Sequence, residues 1–196
     1  EANISGRSAI GADANPLAVL IAQVKTTYIP ADKLHQTLKS ILIRAQRCKK
    51  DTTENQEIIQ RWFSSSTITQ LIHLEESISE VKSCEERKFF LLCFSNLIKK
   101  VSFADPSISV PVKLNPERFT NNPKRKKTAE FKLQTLQCVD VYDKFEDICK
   151  LNIRRIDSLR TMKEMGVTTK IVSNDARHIT ETYGNNKPIA DECVDL

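Results

Sequence analysis

The spacing of apolar and polar positions changes character three times along this chain. Residues 7–12 (RSAIGA) form a short apolar stretch of strand length, with Asp13 and Ala14 as a turn behind it. Asn15 supplies a helix N-cap. Pro16 then takes the first helical position, where its fixed φ suits the helix and its missing N–H costs nothing, so a helix is predicted from Pro16 to about residue 24. From Pro30 the period becomes helical, with Leu34, Leu38, Ile41, Leu42 and Ala45 on one face and a basic close at Arg47–Lys50 that suits a helix C-terminus. The polar stretch KKDTTENQE leads to IIQRWFSSS and to a helix carrying Ile68, Leu71, Ile72, Ile78 and Val81. Phe89 to Ile98 is apolar almost all round, which predicts a helix buried by neighbours on several sides.

Pro106, Pro111, Pro116 and Pro123 break this rhythm. They predict a long loop over 103–127, with at most a short extended piece at 110–114 and the basic run Lys124, Arg125, Lys126, Lys127 at its end. A long helix is expected over 128–150, with Phe131, Leu136, Val139, Tyr142, Phe145 and Ile148 inward. Another follows with Ile153, Ile156, Leu159, Met162 and Met165, stopped by Gly166. The strand pattern returns at TTKIVSNDA, then a short helix or turn, then a strand start at the final VDL.

This order predicts an α/β protein with a large, mainly helical insertion. Residues 1–29 supply a strand and helix, 30–166 the insertion, and 167–196 a strand, a short helix and the start of another strand. Across 196 residues the 40% hydrophobic content supports a real core. Neither a run of about 18 apolar residues nor the basic and apolar regions of a signal peptide is present, so a cytoplasmic protein without a membrane partner is expected. The six cysteines show no C-x-x-C pair and no histidine at ligand spacing. They predict neither a zinc site nor a disulfide framework, and most are expected to be reduced and buried. His35, His73 and His178 are isolated, and none is assigned to catalysis. The net charge of +5 permits a polyanionic partner without requiring one.

Parallel strands joined by a crossover place the residues at their carboxyl ends over a common crevice, where open α/β sheets bind ligands. Asp13 and Asp175 stand at two such ends. A carboxylate just past the second strand of a doubly wound sheet can accept hydrogen bonds from both ribose hydroxyls. Asp13 fits that role, and equally a capping role for the helix at Asn15. Asp175 can accept from an adenine amino group or serve as an ordinary turn residue. With four glycines and no G-x-G-x-x-G or G-x-x-x-x-G-K-[ST] pattern, the chain shows no phosphate cradle.

Gly11-Ala-Asp13-Ala-Asn15-Pro16-Leu17-Ala18 resembles the S-adenosylmethionine-dependent DNA amino-methyltransferases of bacterial restriction-modification systems, the N4-cytosine and N6-adenine enzymes. In that family a glycine-rich D-P-F-x-G-S-G-T type loop and a helix precede a G-x-D-x-N-P-x-A strand end. The C-terminal IVSNDARHI…ADECVDL is similar to the family's segment just before its S-P-P-Y or D-P-P-Y tetrapeptide, and RKFFLLCFSNLIKKVSFAD and PKRKKTAEF resemble the intervening region of certain members. The resemblance is strong over about 25 residues at each end. It implies a Rossmann-like methyltransferase sheet, S-adenosylmethionine as cofactor and double-stranded DNA as partner. Asp13 would bind the ribose, Ala14 would lie beside the adenine, and Asp175, with Ala176, would meet the adenine amino group. The glycine loop and the tetrapeptide both lie outside the 196 residues. The resemblance therefore implies an internal fragment that does not catalyse alone, with the catalytic residues expected just after Leu196.

For the insertion, the basic run Lys124–Lys127, extended by Lys99 and Lys100, can neutralise DNA phosphates or stand as plain solvated cations. Trp62 and Phe63 could stack on a flipped base or anchor the helical block. Two alternatives stay open. One is an RNA guanine methyltransferase of related fold, and the other a non-catalytic helical DNA-binding or specificity module.

Overall fold

The computed structural model describes residues 2, 3, 5–49 and 56–173. Among these are eight helices and a two-stranded parallel sheet, a mainly helical α/β arrangement. They fall into two compact units, one built from the chain up to Leu34 and from Ile153 onward, the other from His35–Asn152. Both cuts fall inside helices rather than at the Pro30 and Gly166 breaks, because the helical period runs on through the change of unit.

In the first unit β1 (Ala9–Asp13) pairs in parallel with β2 (Thr169–Ser173), from Ala9 opposite Thr169 to Asp13 opposite Ser173. Helix α1 (Pro16–Thr26) packs on both strands. Asn15 caps it as the sequence predicts, its side chain accepting from the Leu17 N–H at 2.9 Å with Pro16 in the first helical position. The strand pair is close at its centre, where a Cβ on Gly11 would lie 3.0 Å from Ile171 Cδ1. The short helix α8 (Arg160–Glu164) is tied down through Tyr28. Arg160 Nε donates to the phenol oxygen at 3.2 Å, and Lys163 Nζ lies 5.5 Å from the ring centroid.

The second unit carries most of α2 (Ala31–Arg47) and α7 (Val141–Asp157), with α3 (Gln56–Gln60), α4 (Ser65–Ser79), α5 (Cys84–Val101) and α6 (Pro123–Gln137) between them. Its centre is aromatic. Phe90 is fully buried, 5.1 Å edge-on from Phe89 and 6.4 Å from Phe145, which joins α5 to α7. Ile41, Leu74, Ile78 and Leu97 complete this core. Ser83 caps α5 by accepting from the Glu86 N–H, and the buried Glu86 carboxylate accepts in turn from the Thr37 hydroxyl. Polar side chains also join the helices, Gln70 Oε1 accepting from the Val141 N–H at 3.0 Å and His73 Nδ1 lying 3.2 Å from the Tyr142 hydroxyl.

Five sequence expectations need correction. The helix expected over 128–150 is two helices, because Asp140 accepts from the N–H groups of Tyr142 and Asp143 and so starts α7 anew. The loop expected to reach residue 127 ends at Asn122, which caps α6, so the basic run is helical. Phe131, expected inward, is 70% exposed, and in α5 Leu91 and Ile98 lie partly in solvent rather than being enclosed on every side. Of the five described cysteines only Cys93 and Cys149 are buried, with Cys84 and Cys138 exposed.

Candidate functional site

At the carboxyl end of β1 the chain turns sharply into α1, and Asp13 sets that turn. Its Oδ1 accepts from the Asn15 N–H at 2.7 Å, while Oδ2 accepts from no described donor. Asp13 and Ala14 are both exposed. One carboxylate oxygen thus holds the turn and the other is available to a ligand. β2 ends at Ser173, the register partner of Asp13, so the two strand ends lie side by side. Asp175 and Ala176, together with the short helix and strand start expected after them, lie outside the described residues.

Lys124, Arg125, Lys126 and Lys127 form the first turn of α6, behind Asn122 as N-cap and Pro123. No acidic residue occupies this turn. Four cations therefore stand where the helix dipole already presents its positive end, an arrangement that disfavours the isolated helix and strengthens attraction for an anion. The four are not equivalent. Lys126 Nζ lies 2.7 Å from Glu117 Oε1, and this pairing raises its pKa. Arg125 lines a hollow, described next. Lys124 and Lys127, three residues apart, are exposed on the outward face that also carries Phe131. Lys99 and Lys100 close α5, where a helix C-terminus favours cations on its own account. Trp62 is half-buried beside the Arg61 guanidinium, and its carbonyl accepts from the Phe103 N–H at 2.8 Å.

The hollow beside α6 measures about 320 Å³ and was not visible in the sequence. Its walls are Pro106, Leu114, Phe119 and Ala129, and its polar groups include Asp105, Ser107, Arg125 and Lys132. An antiparallel bridge between Ala104 and Lys113 folds the proline-rich segment back on itself and turns Asp105 inward, to 6% exposure. Asp105 Oδ1 accepts from the Ser107 hydroxyl at 2.6 Å and from the Ser107 N–H at 2.9 Å. These bonds, the hydroxyl first, outweigh burial and hold its carboxyl below the ordinary value, with Arg118 and Lys132 adding a weaker pull. The local signal was Asp-Pro-Ser at 105–107, an Asx-turn pattern. What it faces comes from residues far along the chain.

A larger hollow, about 510 Å³, is lined by Asp140, Asp143, Glu146 and Asp147 among others, and its charge would repel a polyanion. Among the described residues no helix is long and apolar enough to cross a membrane. No family model, curated protein sequence or solved structure matches this chain.

Proposed function

We propose that this chain is part of a DNA amino-methyltransferase that binds S-adenosylmethionine at the carboxyl ends of β1 and β2 and DNA through the basic start of α6. The observation that carries the reading is Asp13, an exposed carboxylate with one oxygen uncommitted, at the end of a strand whose parallel neighbour ends beside it. In the doubly wound strand order 3-2-1 the second and third strands are direct neighbours, and a carboxylate after the second reaches a ribose diol. The pairing of β1 with β2 is consistent with that order and with a Rossmann-like sheet.

The residues at this turn suit a nucleoside. Asp13 would accept from the ribose hydroxyls through Oδ2, and the small side chain of Ala14 leaves room for a flat adenine beside the turn. S-adenosylmethionine, when bound, supplies a methyl group activated by its sulfonium. The part of Asp13 is to hold and orient the cofactor, and positioning of this kind is a large share of what such a displacement needs. Asp175 and Ala176 are proposed to meet the adenine.

Calorimetric titration of the intact enzyme with S-adenosylmethionine tests this. Asp13→Ala is expected to weaken binding about 10- to 100-fold through loss of a charge-assisted pair of hydrogen bonds. Asp13→Asn keeps an acceptor for the Asn15 N–H but removes the charge, so it separates cofactor binding from the turn. Absence of binding by the unaltered intact enzyme, or equal affinity for Asp13→Ala, refutes the proposal. The basic turn of α6 taken alone favours a second reading, a nucleic-acid-binding module without methyl transfer, which would keep salt-dependent DNA binding while taking up no cofactor.

A further inference from the structure

We propose that the hollow between the 103–114 segment and α6 is a pocket for one unstacked nucleotide whose base carries an exocyclic amino group. Asp105 accepts from that amino group, and Arg125 and Lys132 hold the phosphate. The inference rests on the DNA reading above and deepens it, because Arg125 belongs to the basic run assigned to DNA.

The chemistry of the two ends selects the ligand. Asp105 is nearly buried and makes no ion pair with a described residue. Both of its hydrogen bonds from Ser107 go to Oδ1, and no described donor reaches Oδ2. Oδ2 is not itself enclosed, so an N–H from a ligand in the hollow can reach it and add a charge-assisted hydrogen bond. Arg125 and Lys132 form no ion pair within contact distance of a described carboxylate, so the hollow holds two cations against the single carboxylate of Asp105. Between them the walls are apolar, with Phe119, Leu114 and Pro106 suited to the faces of a flat ring. At about 320 Å³ the hollow lies at the small end of ligand-pocket sizes, which suits a single nucleotide. At the exocyclic position where cytosine and adenine present an amino donor to a carboxylate, thymine presents the carbonyl oxygen O4, setting acceptor against acceptor there. A base reaches such a pocket only after leaving the duplex stack.

The test titrates dCMP, dAMP and dTMP into the protein and follows binding by calorimetry and by chemical shifts of the residues around Asp105. One or both amino-bearing nucleotides should bind at least about tenfold more tightly than dTMP. Asp105→Asn, which retains the acceptor for Ser107, should reduce that preference to within about twofold, and Lys132→Gln should weaken all three nucleotides alike. Melting curves of the variants confirm that they fold. Failure of every nucleotide to bind, equal affinity for dTMP, or a preference that survives Asp105→Asn overturns the proposal. So does displacement of dCMP by a zwitterionic dipeptide at lower concentration than dCMP itself requires, which would assign the pocket to peptide termini. The two readings fail separately. Loss of the Lys124 and Lys127 contribution to duplex binding would end the DNA reading while nucleotide selectivity stood, and an intact salt dependence with equal dTMP binding would end the pocket alone.

Discussion

Replacing Lys124 and Lys127 together by Gln removes two cations from the outward face of α6 without touching the core, since the buried residues of this helix are Ala129 and Leu136. The expected size follows from how the four basic residues are employed. Lys126 is held by Glu117 at 2.7 Å, and Arg125 lines the hollow, so 124 and 127 are the positions most open to a phosphate backbone. Each duplex phosphate neutralised contributes about 0.9 to the slope of log affinity against log salt, so losing both lysines should reduce that slope by about 1.8. At about 0.1 M salt, relative to 1 M, this corresponds to roughly 60-fold weaker binding. Lys126→Gln should change the slope by clearly less than about 0.9, because this ammonium must leave Glu117 before it can serve a phosphate.

Fluorescence anisotropy of a labelled duplex, measured between about 50 and 200 mM salt, gives these slopes directly. Phe131→Ala on the same face is the uncharged control and should leave the slope unchanged. Identical slopes for the unaltered protein and the double variant would return the two lysines to plain surface charge. A Lys126→Gln effect as large as that of Lys124→Gln would refute the assignment of Lys126 to Glu117.

Phe90→Ala should destabilise the helical unit by about 3–5 kcal/mol, the usual cost of emptying a buried phenylalanine site, and urea unfolding followed by circular dichroism measures it. A loss under about 1.5 kcal/mol would contradict the packing of α5 on α7 through Phe90 and Phe145. The depressed pKa of Asp105 gives a signed prediction. Its stabilising contribution is present above the ordinary carboxyl value of 3.8 and is lost as the pH falls through the lower folded value, so Asp105→Asn should flatten the acid limb of the stability profile. A variant profile as steep as that of the unaltered protein would sink this. Gly166 has φ +69° and open space around its Cα, so Gly166→Ala should cost about 1 kcal/mol from backbone strain alone, read as a small fall in melting temperature, and no fall would show that the turn relaxes.

How far the sequence could be read is clearest in a dipeptide that occurs three times. Asn15-Pro16, Asn115-Pro116 and Asn122-Pro123 each place an asparagine cap before a proline in the first helical position, at α1, at the 3₁₀ turn Pro116–Phe119 and at α6. The first was legible because an apolar strand ends just before it and apolar helical residues follow. The other two lie among further prolines and lysines, where the composition suggests a loop, and the first residues of α6 carry no apolar position to mark where that helix begins. A weak apolar face explains Phe131. With Ala129 and Leu136 as its buried residues, α6 makes few demands on its neighbours, and no periodicity in the sequence fixes which way an isolated aromatic points. The strand-end site was legible in part, since the Asp13 turn and the Asn15 cap are local chemistry. That β1 pairs directly with β2 was not written in either strand, because more than 150 residues separate them and only the closed fold sets their register. The hollow at Asp105 lies further beyond local reading. Asp-Pro-Ser encodes the turn, yet the cations around it enter from α6, whose start at Asn122 was read as loop. The missed cap thus hid the helical setting of the basic run, Arg125 included, while the meeting of Asp105 with Arg125 and Lys132 is set by the closed fold alone.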